Sequence, residues 1–335
     1  YGQVGNANLG GRRFAYLSTI TDDYDTLNMY KWGLDSSYGL TGMAEGEFAV
    51  QDLTWEIVNK MNLGVELGFL NGMIDLQLDY FDERRKDIFM PRESVPMTAG
   101  FMKQPWKNFG KVTNQGVEVS LNVNKQFGKD LFVSLMGTFT YAHNEITEKD
   151  EPSAVVGTNR AETGHPVGQL TGYIAEGLFT EDDFEDVSTG KLKEGIPTQS
   201  FVSKLRPGDI RYRDVNGDGK VDVFDKSPIG GTKDPEIVYG FGLNMKYKDL
   251  DFGALFQGIG RSWNILGSSI IPGANRGVTG NMFTNANDRW TVDNPSQNVF
   301  YPRLDDGINS NNNQPSTWWL RNMSFLRLKN IELGY

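Results

Sequence analysis

The sequence predicts an all-β fold, a transmembrane antiparallel β-barrel segment with long extracellular loops. Three observations predict it. Apolar and polar residues alternate with period two over long runs, the runs exceed ordinary soluble strands, and the connections between them sort by length.

The first run follows "LTWEIVNKMN". Leu63, Val65, Leu67 and Phe69 alternate with Gly64, Glu66 and Gly68. Asn71-Gly72 then reads as a two-residue hairpin turn, and Ile74, Leu76, Leu78 and Tyr80 alternate with Asp75, Gln77 and Asp79. The second hairpin sets Val117, Val119, Leu121 and Val123 against Glu118, Ser120, Asn122 and Asn124. It turns at 127–130 ("FGKD") and returns through Val133, Leu135, Phe139 and Tyr141. The third runs through Tyr239, Phe241, Leu243, Met245 and Tyr247, turns at 248–250 and returns through Phe252, Ala254 and Phe256. A last strand carries Leu326 and Leu328. Its apolar phase then slips to Ile331, Leu333 and Tyr335, which predicts a bulge near Lys329-Asn330.

These runs amount to about seven strands, several far longer than the five or six residues usual in soluble proteins. The connections alternate: short, long (90–112), short, very long (145–234), short, long (261–318). All tight turns therefore fall at one end, as in barrels with short periplasmic turns and long outer loops. Period-two alternation by itself also fits a half-buried sheet in water. A soluble, secreted, calcium-dependent carbohydrate-binding β-protein is the alternative at this stage.

Composition narrows the function classes. The chain has 335 residues, 39 Gly, 20 Phe, 13 Tyr and 7 Trp, a profile of β-structure with many turns. A net charge of −10 argues against a nucleic-acid partner. Without cysteine there are no disulfides, no thiolate zinc sites and no thiol catalysis. The first residues, "YGQVGNANLG", show neither the basic nor the apolar region of a signal peptide, and no run is long enough for a membrane helix. A barrel strand needs only about 9–11 residues with one apolar face.

The most specific motif is "DVNGDGKVDVFD". Asp214, Asn216, Asp218, Asp222 and Asp225 occupy positions 1, 3, 5, 9 and 12 of a twelve-residue calcium loop. Gly219 stands at position 6, where the sharp turn excludes a Cβ, and Lys220 at position 7 would offer its backbone carbonyl. The predicted metal set is thus Asp214, Asn216, Asp218, Lys220, Asp222 and Asp225, for Ca²⁺ or, second, Mg²⁺. An Asp in place of Glu at position 12 shortens the last arm. The Pro- and Gly-bearing flanks lack helical periodicity, so this is a lone loop and not a paired EF-hand sensor.

Other constellations are weaker. His143 and His165 have no partner at catalytic or metal spacing. Glu181, Asp182, Asp183, Glu185 and Asp186 could be imagined as glycosidase carboxylates, but such a run is ordinarily a solvated face. Trp55, Phe89, Phe101, Trp106, Trp290, Phe300, Tyr301, Trp318 and Trp319 gather where strands meet loops. They fit core packing, an interfacial aromatic girdle or sugar-stacking platforms. No GxSxG, HExxH or P-loop pattern occurs, and no catalytic residue is assigned.

In chain order, the blocks "YGQVGNANLG", "LTWEIVNKMNLGVELGFLNGMIDLQLDYFDERRKDIF", "NFGKVTNQGVEVSLN", "TGHPVGQLTGYIAEGLF", "RPGDIRYRDVNGDGKVDVFDKSPIGG", "DRWTVDNPSQNVFYPRL" and "FLRLKNIELGY" resemble the C-terminal barrel part of the SusC/RagA-type TonB-dependent outer-membrane transporters of Bacteroidetes. The resemblance implies a barrel of about 22 strands with a plugged lumen. It implies import of an oligosaccharide or peptide, a SusD-like surface lipoprotein as partner, and energy from the TonB complex through an N-terminal box. Residues 1–335 would be the C-terminal portion of that barrel, in contact with outer-membrane lipid. The plug, the TonB box, the earlier strands and the final strands would lie outside this sequence.

Overall fold

The computed structural model describes residues 1–7, 9–21, 30–32, 34, 38–40, 43–101, 103–267, 270, 283–305 and 309–335. Residues 268–269, 271–282 and 306–308 of the predicted 261–318 loop therefore lie outside the described residues.

One eight-stranded sheet dominates. Its members are β1 (Gly2–Asn6), β2 (Glu56–Phe69), β3 (Ile74–Pro91), β4 (Trp106–Phe127), β5 (Leu131–Glu148), β6 (Ile237–Tyr247), β7 (Leu250–Gly260) and β8 (Phe325–Gly334). Spatial order equals chain order, and every neighbour is antiparallel. In such a meander alternate connections must fall at the same end. The short ones, 70–73, 128–130 and 248–249, share one end, and 7–55, 92–105, 149–236 and 261–324 share the other. Strands of 18, 22 and 18 residues (β3, β4 and β5) exceed a bilayer crossing, and the surplus stands at the long-loop end.

The first turn departs from the two-residue Asn71-Gly72 reading. Phe69 pairs with Ile74, and the connection is 70–73, with Leu70, Asn71 and Gly72 all at positive φ. The reason is register. The aliphatic rows pair Leu67 with Leu76 and Leu76 with Leu121, and the Met73 carbonyl accepts the Asn124 N–H at 2.7 Å. A tighter turn would shift that ladder and turn the apolar residues to the other face. At the predicted bulge, Leu255 pairs with Asn330 and Phe256 with Leu328, so Lys329 is the extra residue. The bulge lets Leu326, Leu328, Ile331 and Leu333 share one face despite their slipped spacing.

The register builds continuous rows across the sheet. One face carries Leu67, Leu76, Leu121, Phe241, Phe256 and Leu328 in a single row, with Gly137 between Leu121 and Phe241. The next row of that face holds Val65, Leu78, Val119, Phe139 and Tyr239. The opposite face carries Glu66, Gln77, Ser120 and Thr138 in one row, and Asp79, Glu118 and Thr140 in another. Aromatics border the aliphatic band. Tyr80 and Tyr141 flank Val117 in the row nearest the long loops, while Phe127 and Tyr247 stand at the turn end. From Val117 to Phe127 the strand advances about 33 Å, which a tilt near 40° projects to about 25 Å, the height of a barrel's apolar band.

Nothing among the described residues covers the aliphatic face. Val117 and Leu121 are 39% and 38% exposed, and Val65, Leu67, Leu135, Phe241 and Leu328 are exposed as well. The inner layer of a soluble sandwich would bury them. The buried core lies instead in the long connections, where Tyr173, Leu178, Ile210, Tyr212, Val221, Trp290, Tyr301 and Trp319 form one cluster. Small two-strand pairs frame it: Ala175–Leu178 with Ile210–Tyr212, Thr198–Gln199 with Lys220–Val221, and Trp263–Ile265 with Leu320–Asn322. Connections 149–236 and 261–324 thus fold together as a cap on one end of the sheet.

Because the aliphatic face meets hydrocarbon, Leu121→Arg should destabilise the full-length folded protein in bilayers by about 2–4 kcal/mol. Ser120→Arg, on the opposite face, should cost far less. Reversible unfolding in lipid checks this, and equal costs at the two positions would contradict the assignment of faces.

Candidate functional site

The cap is pinned by one buried carboxylate. Asp209 follows Gly208 in "RPGDI" and is fully buried. Its Oδ1 accepts from Arg303 at 3.1 Å, from Asn309 Nδ2 at 2.9 Å and from Asn312 Nδ2 at 3.0 Å, and its Oδ2 accepts the Arg206 N–H at 2.9 Å. Burial pushes this carboxyl upward in pKa, and Arg303 and the amide donors oppose the shift. The surrounding backbone is tied across the same seam. Asn312 Oδ1 accepts the Ile210 N–H at 2.8 Å, Asn311 Nδ2 donates to the Ile210 carbonyl at 2.8 Å, and the Tyr212 hydroxyl donates to the Asn311 carbonyl at 2.8 Å. Gly208, at φ +87°, lies under Trp290, and a Cβ there would stand 2.3 Å from the indole. Glycine is therefore required both for its conformation and for the approach of the ring.

The predicted calcium loop follows directly. Asp214 Oδ1 accepts the Gly217 N–H and Oδ2 the Gly219 N–H, both at 2.7 Å, with Gly217 and Gly219 at positive φ. Asn216 Oδ1 accepts the Asp218 N–H at 3.0 Å, and Asp218 Oδ1 the Lys220 N–H at 2.9 Å. Asp222 Oδ1 accepts the Phe224 N–H at 2.9 Å, while its Oδ2 pairs with the Lys220 ammonium at 2.9 Å. The ammonium and the Phe224 N–H hold the Asp222 carboxyl below the usual carboxylate range. Asp225 is fully buried. It accepts Val215 N–H at 2.8 Å and Asn216 N–H at 3.3 Å through Oδ1, and Asp222 N–H at 2.7 Å through Oδ2, stapling the two ends of the loop. Val221, at position 8, is buried and pairs with Gln199.

Among the described residues no group of three or more carboxylates and imidazoles converges to hold a metal ion. The donor set is nonetheless one of hard oxygens, and a carboxylate oxygen that accepts one N–H keeps a second lone pair. The staple by Asp225 was missed in the sequence reading, which counted Asp225 as a ligand. Its signal was present in the spacing of Asp222 and Asp225, which form a capping box around the turn Val223–Asp225.

The remaining sequence candidates take structural places. His143 Nδ1 lies 2.6 Å from Glu236 Oε1, whose other oxygen pairs with Arg261 at 3.1 Å. His165 donates its backbone N–H to the Glu162 carbonyl in a turn, and its carbonyl accepts the Ile146 N–H. In the acidic run, Asp183 caps Thr180 and pairs with Arg211, Glu185 pairs with Lys191, and Asp186 caps Ser188 and Thr189. These carboxylates are turn caps and surface pairs, without a glycosidase geometry. Of the aromatics, Trp290, Tyr301 and Trp319 build the cap core, Phe89 packs on Trp106 at 5.1 Å, and Trp55 stays exposed. The polar face of the sheet holds a cleft of about 440 Å³ lined by Glu66, Asp75, Gln77, Ser120 and Asn122, a hydrophilic wall suited to an aqueous passage.

A profile described as "TonB dependent receptor-like, beta-barrel" matches residues 19–335. The chain belongs to this TonB-dependent receptor β-barrel family. Relatives include TonB-dependent receptor P26 of Formosa agariphila, 27% identical over 100% of this chain and 32% of the relative. TonB-dependent receptor SusC of Bacteroides thetaiotaomicron is likewise 27% identical, over 100% of this chain and 31% of the relative. Among solved structures, that of the RagAB peptide transporter shares the fold with a TM-score of 0.65, at 24% identity, over 99% of this chain and 32% of its own. The chain spans about a third of the length of these relatives. As a TonB-dependent receptor barrel it is an outer-membrane protein of a transporter family and not an enzyme, and the soluble carbohydrate-binding alternative falls.

Asp209→Ala in the full-length receptor should leave Arg303 buried without its counter-charge and cost the cap about 3–5 kcal/mol. Protease nicking and faster hydrogen exchange confined to 149–236 and 261–324, with the sheet unaffected, are the expected readouts.

Proposed function

We propose that this chain is the C-terminal part of the barrel of an active outer-membrane importer for an oligosaccharide or a peptide. In this reading energy arrives from TonB through the N-terminal part of the full-length receptor, and a SusD-like surface lipoprotein covers the outer mouth. The match of residues 19–335 to the receptor-barrel profile carries the reading. The sorting of connections by length supports it, because barrels of this kind carry their long loops outside, which would put the cap at the extracellular end. Exposed apolar side chains on the cap, Val156, Val167, Val223 and Phe224, are candidates for the surface the lipoprotein covers. SusC and RagAB are named for a receptor and a peptide transporter, so both cargo classes belong in the test.

Cells lacking the receptor gene should lose growth on one cargo class, oligosaccharide or peptide, as the limiting nutrient. Loss of TonB should reproduce the defect, and the lipoprotein should co-purify with the wild-type receptor but poorly with Phe224→Asp. Unchanged growth and uptake on both classes would refute the importer reading.

We further propose that Asp214–Asp225 binds calcium, with magnesium the second candidate, as a structural pin. The spacing of Asp214, Asn216, Asp218 and Asp222, the Lys220 carbonyl and the tight turn at Gly219 support this. An ion would be held by oxygens of Asp214, Asn216, Asp218 and Asp222, with the Lys220 ammonium displaced from Asp222 and with Asp225 contributing from its buried place. It would supply charge neutralisation only. Calcium outside a cell is plentiful, and the expected Kd lies at about 10⁻⁴–10⁻³ M. Calorimetric titration of the full-length receptor should show a site that Asp218→Ala abolishes. Equal binding by both proteins would reduce the loop to an acidic turn.

A further inference from the structure

The sequence holds two Asn-Gly pairs, Asn71-Gly72 and Asn216-Gly217, and the structure treats them in opposite ways. In such a pair the main-chain nitrogen of the glycine attacks the side-chain carbonyl carbon of the asparagine, and glycine has no Cβ to block the approach. The two atoms must meet, so a hydrogen bond that holds either group elsewhere opposes the reaction. Exposure does not separate the pairs, because all four residues are exposed. Nor does crowding, because at neither glycine does a described heavy atom lie within 4 Å of the place a Cβ would take.

Hydrogen bonding does separate them. At Asn216 every reacting group is held. Its Oδ1 accepts the Asp218 N–H at 3.0 Å and its Nδ2 donates to Asp218 Oδ2 at 3.0 Å, so one residue fixes both ends of the amide. The Gly217 N–H, which carries the nucleophile, donates to Asp214 Oδ1 at 2.7 Å. These contacts must open before the nitrogen reaches Cγ. At Asn71 the side-chain amide makes no hydrogen bond to a described residue. The Met73 N–H, and not that of Gly72, closes the turn, on the Phe69 and Leu70 carbonyls at 3.1 and 3.3 Å. Both reacting groups of this pair are therefore free to meet.

We propose that Asn71 is a site of spontaneous deamidation in the folded receptor, and that the Asp214–Asp225 loop shields Asn216 from the same reaction. The Gly72 nitrogen bonds to Asn71 Cγ and gives its proton to water. The Cγ–Nδ2 bond breaks, Nδ2 takes a proton from water and leaves as ammonia, and a succinimide remains. Water then adds to one of the two ring carbonyls. Breaking the bond from Cγ to the Gly72 nitrogen gives aspartate. Breaking the bond from the main-chain carbonyl to that nitrogen gives isoaspartate, whose main chain runs through Cβ and is one carbon longer. Either product places a new carboxylate in the 70–73 turn, while the aliphatic rows on both sides keep the register.

The test holds the full-length receptor in detergent with a calcium chelator, at physiological temperature and mildly alkaline pH, beside the same protein in guanidinium chloride. The chelator removes any bound ion, so that shielding reports the hydrogen bonds of the chain alone. Peptide mapping by mass spectrometry follows Asn71 and Asn216, and isoaspartyl methyltransferase labels the isoaspartate. Heat-modifiable migration on gels shows that the native sample keeps its barrel. Each site is compared with its own rate in the denatured chain, which removes the influence of the flanking sequence. In the folded receptor Asn71 should keep pace with its denatured rate, and Asn216 should fall at least about tenfold below its own, the effect of opening its hydrogen bonds first. An Asn71 that stays intact in the folded receptor while it converts in the denatured chain would overturn the inference. So would an Asn216 that converts in the folded receptor as fast as in the denatured chain.

Discussion

Hydrocarbon offers no partner to a backbone N–H or carbonyl, and the rest of this structure follows from that constraint. Each strand that faces lipid must pair along its length with neighbours. A chain meets this at least entropic cost by pairing each strand with the next one in sequence, which is the observed order from β1 to β8. Antiparallel neighbours then sort the turns, and a one-residue slip anywhere would exchange the two faces. The bulge at Lys329 shows the constraint at work. The apolar positions of β8 change phase, and the backbone absorbs an extra residue so that they stay on the lipid face.

A sheet that gives its apolar face to lipid and its polar face to an aqueous lumen has no interior of its own. Its main buried core in the described residues is in the cap, where the long connections supply Trp290, Tyr301, Trp319 and Tyr212, and a smaller cluster of Ala15, Val50 and Phe89 sits beside the 7–55 connection. Hydrophobic burial alone would not fix how two irregular segments meet, because it is non-directional. Direction comes from Asp209 and its neighbours. Their donors are drawn from both connections, and the Asn309–Asn312 stretch satisfies backbone groups around Ile210 that no regular strand pairs. Desolvation of the carboxylate opposes this arrangement, and the guanidinium and three further donors offset it.

The barrel was legible in the sequence because lipid imposes a strict period on every strand. Leu63 to Phe69, Val117 to Val123 and Tyr239 to Tyr247 each show it, and even the phase slip after Leu328 was readable as a bulge. Strand ends were read short. Trp106–Gln115 and Phe81–Pro91 extend beyond the membrane, where both faces are polar or mixed and the period fades. The Asn71-Gly72 turn was misread because dipeptide preference is local, whereas register is set by three strands together. The cap was illegible for a different reason. Asp209 is one acidic residue in a Pro-Gly turn, and Arg303, Asn309 and Asn312 lie about a hundred residues away with no periodic link to it. "RPGDI" opens one of the blocks that carry the family resemblance, but nothing in its spacing shows its physical task.

The loop Asp214–Asp225 contains two separable devices that the spacing alone had merged. Asp225 is buried and ties Val215, Asn216 and Asp222 together through backbone N–H groups, so the closure of the loop is secured by hydrogen bonds within the chain. Asp214, Asn216 and Asp218 each accept a backbone N–H within the turn, and Asp222 accepts the Phe224 N–H of the turn that follows. A backbone already curved around Asp214 has lost most of its conformational freedom, so a cation entering there would bear little ordering cost. It would have to overcome the Lys220 ammonium, which already balances Asp222. That competition lowers affinity only slightly, because a solvent-exposed ion pair contributes little. Such a penalty would suit a weak site in a calcium-rich medium, in a loop whose shape is already fixed by Asp225.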